Sequence, residues 1–172
     1  MDDTITDLEK YRKGWIGGGS ETPCGQGSTL RATKQQRELI PLWAKKYAWP
    51  SVADLGAGDL NWVSKMRMPT LDYWAGDLIP RHPDVVQFNL KKDPLPEAEV
   101  YWCLWVLNHF PPEEGAFAWD KIRAAGKQAL ITWEPRVTWV TFEEVEILED
   151  VVIRERKEND SRGNCHLRLV QC

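Results

Sequence analysis

The feature that most restricts this chain is a series of short apolar runs in its middle: Ser51–Leu55, Leu71–Gly76, Val85–Leu90, Glu99–Leu104 and Ala129–Trp133. Each is too short for a buried helix, and the stretches between them are helix-capable or turn-rich. Short buried runs alternating with such connections predict a parallel α/β sheet, because strands covered on both faces read as near-continuous apolar segments. Asp59–Met66 and Pro112–Gly126 are the expected helices, while the link Asp77–Asp84 holds two prolines and has room for one turn at most. The tail changes character: Glu143–Arg156 and Cys165–Gln171 flank ENDSRGN, which predicts a long hairpin with Gly163 in its turn. The order predicts a Rossmann-like, doubly wound α/β fold. Its seven-stranded sheet is mostly parallel, with an antiparallel C-terminal strand pair.

Ahead of the strands, Leu30–Tyr47 carries Leu39, Ile40, Leu42, Trp43 and Tyr47 at helical spacing, and Pro50 closes it. Pro41 within that run predicts a kink or two shorter helices. Thr4–Lys13 is a short polar helix candidate, and residues 14–29, GWIGGGSETPCGQGST, are too rich in Gly, Ser and Thr for a regular element. A length of 172 residues suits one domain spanning 1–172, in which 1–49 forms N-terminal helices and a glycine-rich lid. A formal charge of -4 argues against a general nucleic-acid-coating role. No apolar run approaches the roughly 18 residues of a membrane span, and the first residues hold no apolar signal core, so a cytoplasmic protein is expected. Cys24, Cys103, Cys165 and Cys172 lie far apart without a CxxC pair, which predicts free thiols and no metal site. Ten tryptophans exceed the ordinary share; core packing accounts for most, and aromatic walls around a planar ligand can use the rest.

The site-bearing signal is Val52-Ala53-Asp54-Leu55-Gly56-Ala57-Gly58-Asp59-Leu60-Asn61-Trp62. An apolar strand runs into an acid and two glycines, which let the backbone approach a ligand, and the expected next helix offers free N–H groups. A dinucleotide fingerprint needs a third glycine where Asn61 stands, and no GK[ST] follows for a phosphate loop. Asp54 and Asp59 flank the turn; they repel pyrophosphate and suit a cationic, amino-bearing ligand. Asp77, followed by Leu78, stands about twenty residues on at a strand's C-terminal end, where a carboxylate can accept from two ribose hydroxyls.

In this order the motifs resemble class I S-adenosylmethionine-dependent methyltransferases over roughly residues 50–134. VADLGAG matches their first motif, WAGDL the ribose-binding acid, FNLKKDPLP the adenine-side loop and YWCLWVLNHFPP the fourth strand with its exit loop. A closer similarity is to small phage and bacterial methyltransferase-like proteins, through GDLNW and through a W-x-G…G-x-G-S-T pattern at Trp15, Gly17, Gly25, Gly27, Ser28 and Thr29. The resemblance implies S-adenosylmethionine as cofactor, with Asp54, Gly56, Gly58 and Asp59 at its methionine part, Asp77 and Leu78 at the ribose, and Asn89 or Asp93, with Leu90, at the adenine. It also favours a lid in which Trp15, Gly27, Ser28 and Thr29 cover the cofactor and exclude water. The usual third glycine of the first motif falls at Leu60, a departure from the family pattern.

Past the fourth strand, Asn108 and His109 are the candidates for chemistry, since open parallel sheets bind ligands at the C-terminal edge of their strands. His109 can act as a base near neutral pH or serve only to shape the loop. Methyl transfer from a sulfonium also proceeds by alignment alone. Trp62, Trp102 and Trp105 can wall the sulfonium by cation–π contact, with Cys103 on the strand face opposite Trp102. The acceptor is a small molecule or, given the basic residues Arg31, Lys34, Arg37, Lys45 and Lys46, a nucleotide or nucleic acid. The alternatives are an S-adenosylmethionine-binding protein without transferase activity and a nucleotide- or NAD-binding Rossmann module.

Overall fold

The computed structural model describes residues 21–125, 127–135, 142, 145–155 and 164–172. Strands β1 (Ser51–Asp54), β2 (Asp72–Asp77), β3 (Val86–Gln87), β4 (Val100–Cys103), β5 (Gln128–Trp133), β6 (Glu146–Arg154) and β7 (Cys165–Gln171) form one sheet in the order β3-β2-β1-β4-β5-β7-β6. The first five pair in parallel, and β7 runs antiparallel between β5 and β6. This is the predicted seven-stranded mixed sheet. β1 sits beside both β2 and β4, so the chain winds away from it in opposite directions, and the sheet has its topological switch point there.

The period-2 alternation of the strands separates two cores. On one face α1 (Lys34–Lys46) lays Ile40, Trp43 and Ala44 against Val52, Val100, Trp102, Leu130, Leu167 and Leu169. On the other, α2 (Pro112–Arg123) lays Ala118, Trp119 and Ile122 against Ala53, Tyr101, Cys103, Ala129 and Ile131. Cys103 and Trp102 therefore do face opposite ways, and both are fully buried. No helix among the described residues is long and apolar enough to cross a membrane.

Four local expectations change. Pro41 stands inside a single α1 rather than dividing it; Ile40 on one side and Trp43 and Ala44 on the other are anchored in the core, and this holds the helix across the missing N–H. Its end is set not by Pro50 but by Ala48, at φ 50, with Ala48 N–H donating to the Lys45 carbonyl and Trp49 N–H to that of Ala44. That is a Schellman closure with alanine in the glycine position. The helix expected over Asp59–Met66 is absent: Leu60 takes φ 56, the Asp59 carboxylate captures the Asn61 N–H, and only a 3₁₀ turn at Val63–Lys65 follows. β3 stops at Gln87 because Asn89–Asp93 closes into a turn of its own. The polar helix candidate Thr4–Lys13, Gly126 and the hairpin turn at Gly163 lie outside the described residues.

Candidate functional site

At the switch point the loops leaving β1 (Leu55–Asn61) and β4 (Leu104–Phe110) lie side by side, joined by the Leu55 N–H donating to the Trp102 carbonyl at 2.8 Å. They touch at Gly56, where a Cβ would come within 2.2 Å of Val106 Cγ2, so no other residue fits without moving that loop. Gly58 has φ 62, and a Cβ there would lie 2.9 Å from Cys24 Sγ. The glycines thus serve close packing and a left-handed turn. The free N–H groups of a following helix are missing with the helix itself, and the turn's own amides are engaged: Ala57 N–H donates to the Gly76 carbonyl and Leu60 N–H to that of Ala57.

The acids are placed in three different ways. Asp54, 2% exposed at the end of β1, accepts from the Tyr73 hydroxyl at 2.7 Å and from the Gly56 N–H. Burial, with the charge of Asp77 adding to it, pushes its carboxyl up to about 7 against the pull of those two bonds. Asp77 stands at the end of β2, where Oδ2 accepts from the Gly58 N–H and Oδ1 from the Ile79 N–H, both at 2.9 Å. Burial raises its pKa, and the two N–H groups and the Arg81 charge draw it back down. Asp59 holds the turn through the Asn61 N–H at 3.1 Å. Leu78 is half-buried beside Asp77. Cys24 lies over this acidic turn, its thiol pushed up to about 11 by burial and by the charge of Asp59.

On the β3 side, Asn89 and Asp93 close on one another. The Asn89 N–H donates to Asp93 Oδ2 at 2.6 Å, the Lys91 N–H to Asn89 Oδ1 at 3.0 Å, and the Lys121 ammonium of α2 to the carbonyls of Leu90 and Asp93. Leu90 is 4% exposed within the α2-side core. Asn89 Nδ2 and Asp93 Oδ1 make no hydrogen bond among the described residues.

On the β4 side, Leu107–His109 forms a 3₁₀ turn leading to α2. His109 is exposed, while Asn108 is half-buried, with its Oδ1 buried and without a partner among the described residues. Trp105 takes φ 60, unusual for so large a side chain, with its N–H held by Thr132 Oγ1 at 2.6 Å. Its ring faces Gly27, where a Cβ would meet ring carbons at 3.8 Å, and the Arg154 guanidinium lies 5.1 Å from the ring centroid. Thr132 and Glu134, at the end of β5, are buried.

Of the lid residues, Trp15 lies outside the described residues. Gly27, Ser28 and Thr29 do lie over the loops of β1 and β4, but the hydroxyls are turned inward: Ser28 Oγ donates to the Cys24 carbonyl, and Thr29 Oγ1 donates to that of Gln26 and accepts from the Ala32 N–H. Two of the expected aromatic walls need correcting. Trp102 is wholly buried on the α1 face, edge-on to Trp49 and Tyr73, and Trp62 is 7% exposed in the same core. Only Trp105 borders the switch point. The sequence reading missed Tyr73 as the partner of Asp54, Thr132 as the anchor of Trp105, and the role of Asn61, although Asn61 stood in the GDLNW motif. Among the described residues no group of His, Cys, Asp and Glu could hold a metal ion.

Neither a protein-family model nor a curated protein sequence matches this chain. Solved structures do match in fold. Magnesium protoporphyrin IX methyltransferase from Synechocystis PCC 6803, with bound S-adenosylmethionine, is 13% identical with a TM-score of 0.69, over 100% of this chain and 98% of that one. The N-methyltransferase NodS from Bradyrhizobium japonicum, in complex with S-adenosyl-L-homocysteine, is 14% identical with a TM-score of 0.68, over 99% and 98%. A S-adenosylmethionine-dependent methyltransferase from Leishmania major is 9% identical with a TM-score of 0.60, over 97% and 82%. These chains share an architecture with this one, and their substrates differ.

Proposed function

We propose that the chain is a single-domain S-adenosylmethionine-dependent methyltransferase whose cofactor lies across the C-terminal ends of β1, β2 and β4. One observation carries this reading: the carboxylate of Asp77 is bonded to the Gly58 N–H, so the strand-end acid and the glycine turn form one unit at the switch point. The donor set suits the cofactor. Asp59 and Asp77 give the turn an anionic field that repels a pyrophosphate and attracts a molecule carrying ammonium and sulfonium charges. S-adenosylmethionine supplies an electrophilic methyl group on a sulfonium.

The chain's own residues bind and orient. Asp77 retains lone pairs for ribose hydroxyls beyond the two backbone donors it accepts. The Gly56–Gly58 turn faces the methionine part, with Asp54 shaping that turn from beneath. On the adenine side Asp93 Oδ1 can accept from the exocyclic amine, while Asn89 Nδ2 can donate to a ring nitrogen. Asn108 Oδ1, buried and without a partner among the described residues, would accept from the N–H or O–H of a methyl acceptor that reaches it. His109, exposed at that edge, would take the proton released on transfer. Trp105 excludes water on the β4 side.

Calorimetric titration with S-adenosylmethionine and S-adenosyl-L-homocysteine, with NAD as control, tests the reading. The expected result is micromolar binding of both, no NAD binding, and a loss of about tenfold or more in Asp77→Asn, which removes a charged hydrogen-bond acceptor. Folded protein that binds neither ligand, or that prefers NAD, overturns it.

A further inference from the structure

The glycine-rich segment and the GDLNW turn, far apart in sequence, are joined by one side chain. Asn61 Nδ2 donates to Glu21 Oε1 at 2.9 Å and to the Ser28 carbonyl at 3.0 Å. Glu21 Oε1 also accepts the Leu30 N–H at 2.6 Å, which closes residues 21–30 into a loop pinned at a single point. Asn61 is itself fixed from the backbone: its N–H is held by Asp59, its carbonyl accepts from Ser64 Oγ, and Leu60 at φ 56 sets its direction. The strap therefore has footholds on two sides. On the β1 side stand Asn61 and the close approach of Cys24 Sγ to Gly58; on the β4 side Gly27 faces the Trp105 ring, which a Cβ at that position would meet at 3.8 Å. The segment crosses the boundary between the two loops that border the switch point.

The two sides differ in chemistry. The Trp105–Gly27 contact is apolar and non-directional. Asn61 offers only N–H donors to two oxygens of the strap, one of them a carboxylate, and such charge-assisted bonds are the stronger kind. Releasing Asn61 removes the directional bonds on the side where Gly58 and Asp77 meet, and leaves the apolar approaches of Cys24 to Gly58 and Gly27 to Trp105 as the tether. A ligand seated against Gly58 and Asp77 would have to pass that side to arrive or leave.

We propose that Asn61 is a positioning residue that latches the strap of residues 21–30 over the cofactor site and so sets how long the cofactor stays bound. This rests on the proposed function for its ligand, but not for the latch itself. Asn61→Asp is the incisive variant: it keeps the shape and every backbone bond of the turn but has no N–H to donate and repels Glu21. Combined with Glu21→Gln, the charge repulsion is removed and the new side-chain amide can donate to the carboxylate at position 61 while its oxygen accepts from Leu30, whereas the bond to the Ser28 carbonyl stays broken.

Two readouts separate the parts. Amide hydrogen exchange of Leu30 without ligand reports the latch: it should speed up about tenfold in Asn61→Asp and recover in part in the double variant. Stopped-flow release of S-adenosyl-L-homocysteine reports the consequence: dissociation should accelerate about tenfold in Asn61→Asp, with part of that reversed in the double variant. Unchanged exchange in Asn61→Asp overturns the latch. Faster exchange with an unchanged dissociation rate overturns its control of the site. If the wild-type chain binds no S-adenosyl-L-homocysteine, it is the proposed function that fails, and the exchange experiment still decides the latch.

Discussion

Asp54 is a carboxyl that the fold keeps out of water beside a second acid. Burial, then the repulsion of Asp77, lifts it to about 7, whereas an unfolded chain ionises it near about 4. Between those values the folded state holds a proton that the unfolded state has released. Stability therefore falls as pH rises from about 4 to about 7 and stays at its lower level above. Asp54→Asn keeps an acceptor for the Tyr73 hydroxyl without the charge. It should raise Tm at pH 8 and leave it nearly unchanged at pH 4, by thermal melts across that range; a gain that is largest at pH 4 contradicts the assignment. The residue itself was legible in the sequence as the acid ending an apolar strand. Its partner was not, because Tyr73 reaches it only through the parallel pairing of β1 with β2, which local spacing does not encode. Asp77 was legible by its distance from the glycines, but its bond to the Gly58 N–H depends on how the turn folds.

At the scale of elements, hydrophobic pattern placed the strands well and their ends poorly. The run over Val85–Leu90 shortens to two residues because side chains of Asn89 and Asp93 compete for the backbone donors a strand would use. The stretch after Gly58 had the composition of a helix, yet Asp59 and the left-handed Leu60 stop it before a first turn forms. Neither outcome follows from periodicity, since each rests on a side chain bonding a main-chain group two to four positions away. The end of α1 gives a quantitative test. Ala48 occupies the left-handed closing position at φ 50, where a Cβ costs roughly 1–2 kcal/mol. Offset by the greater flexibility of glycine in the unfolded chain, Ala48→Gly should stabilise the protein by about 0.5–1 kcal/mol, a Tm rise of roughly 1–4 °C. An unchanged or lower Tm in calorimetry would contradict the cost assigned to a Cβ at this position.

For the whole molecule, the mostly parallel, doubly wound sheet with its antiparallel C-terminal pair was legible, because strand–connection alternation followed by a hairpin admits few right-handed windings. What decides the site is the side of the sheet on which aromatic and acidic groups meet, and there the tryptophans mislead by number alone. Trp102 and Trp62 went to the core because their positions face α1, and of these three it is Trp105 that reaches the switch point, through a backbone conformation that sequence does not announce. The opposite edge of the sheet offers a competing place for a ligand, a cavity of about 150 Å³ lined by Tyr47, Trp49, Glu99, Lys127, Gln128 and Gln171. The two edges are told apart by following the backbone amides of ¹⁵N-labelled protein as S-adenosyl-L-homocysteine is added. The largest shifts should fall at Gly56, Gly58, Asp77, Ile79 and residues 24–28, with Trp49, Lys127 and Gln128 unmoved. Shifts confined to the opposite edge, or none at saturating ligand, would contradict a cofactor site at the β1–β4 switch point.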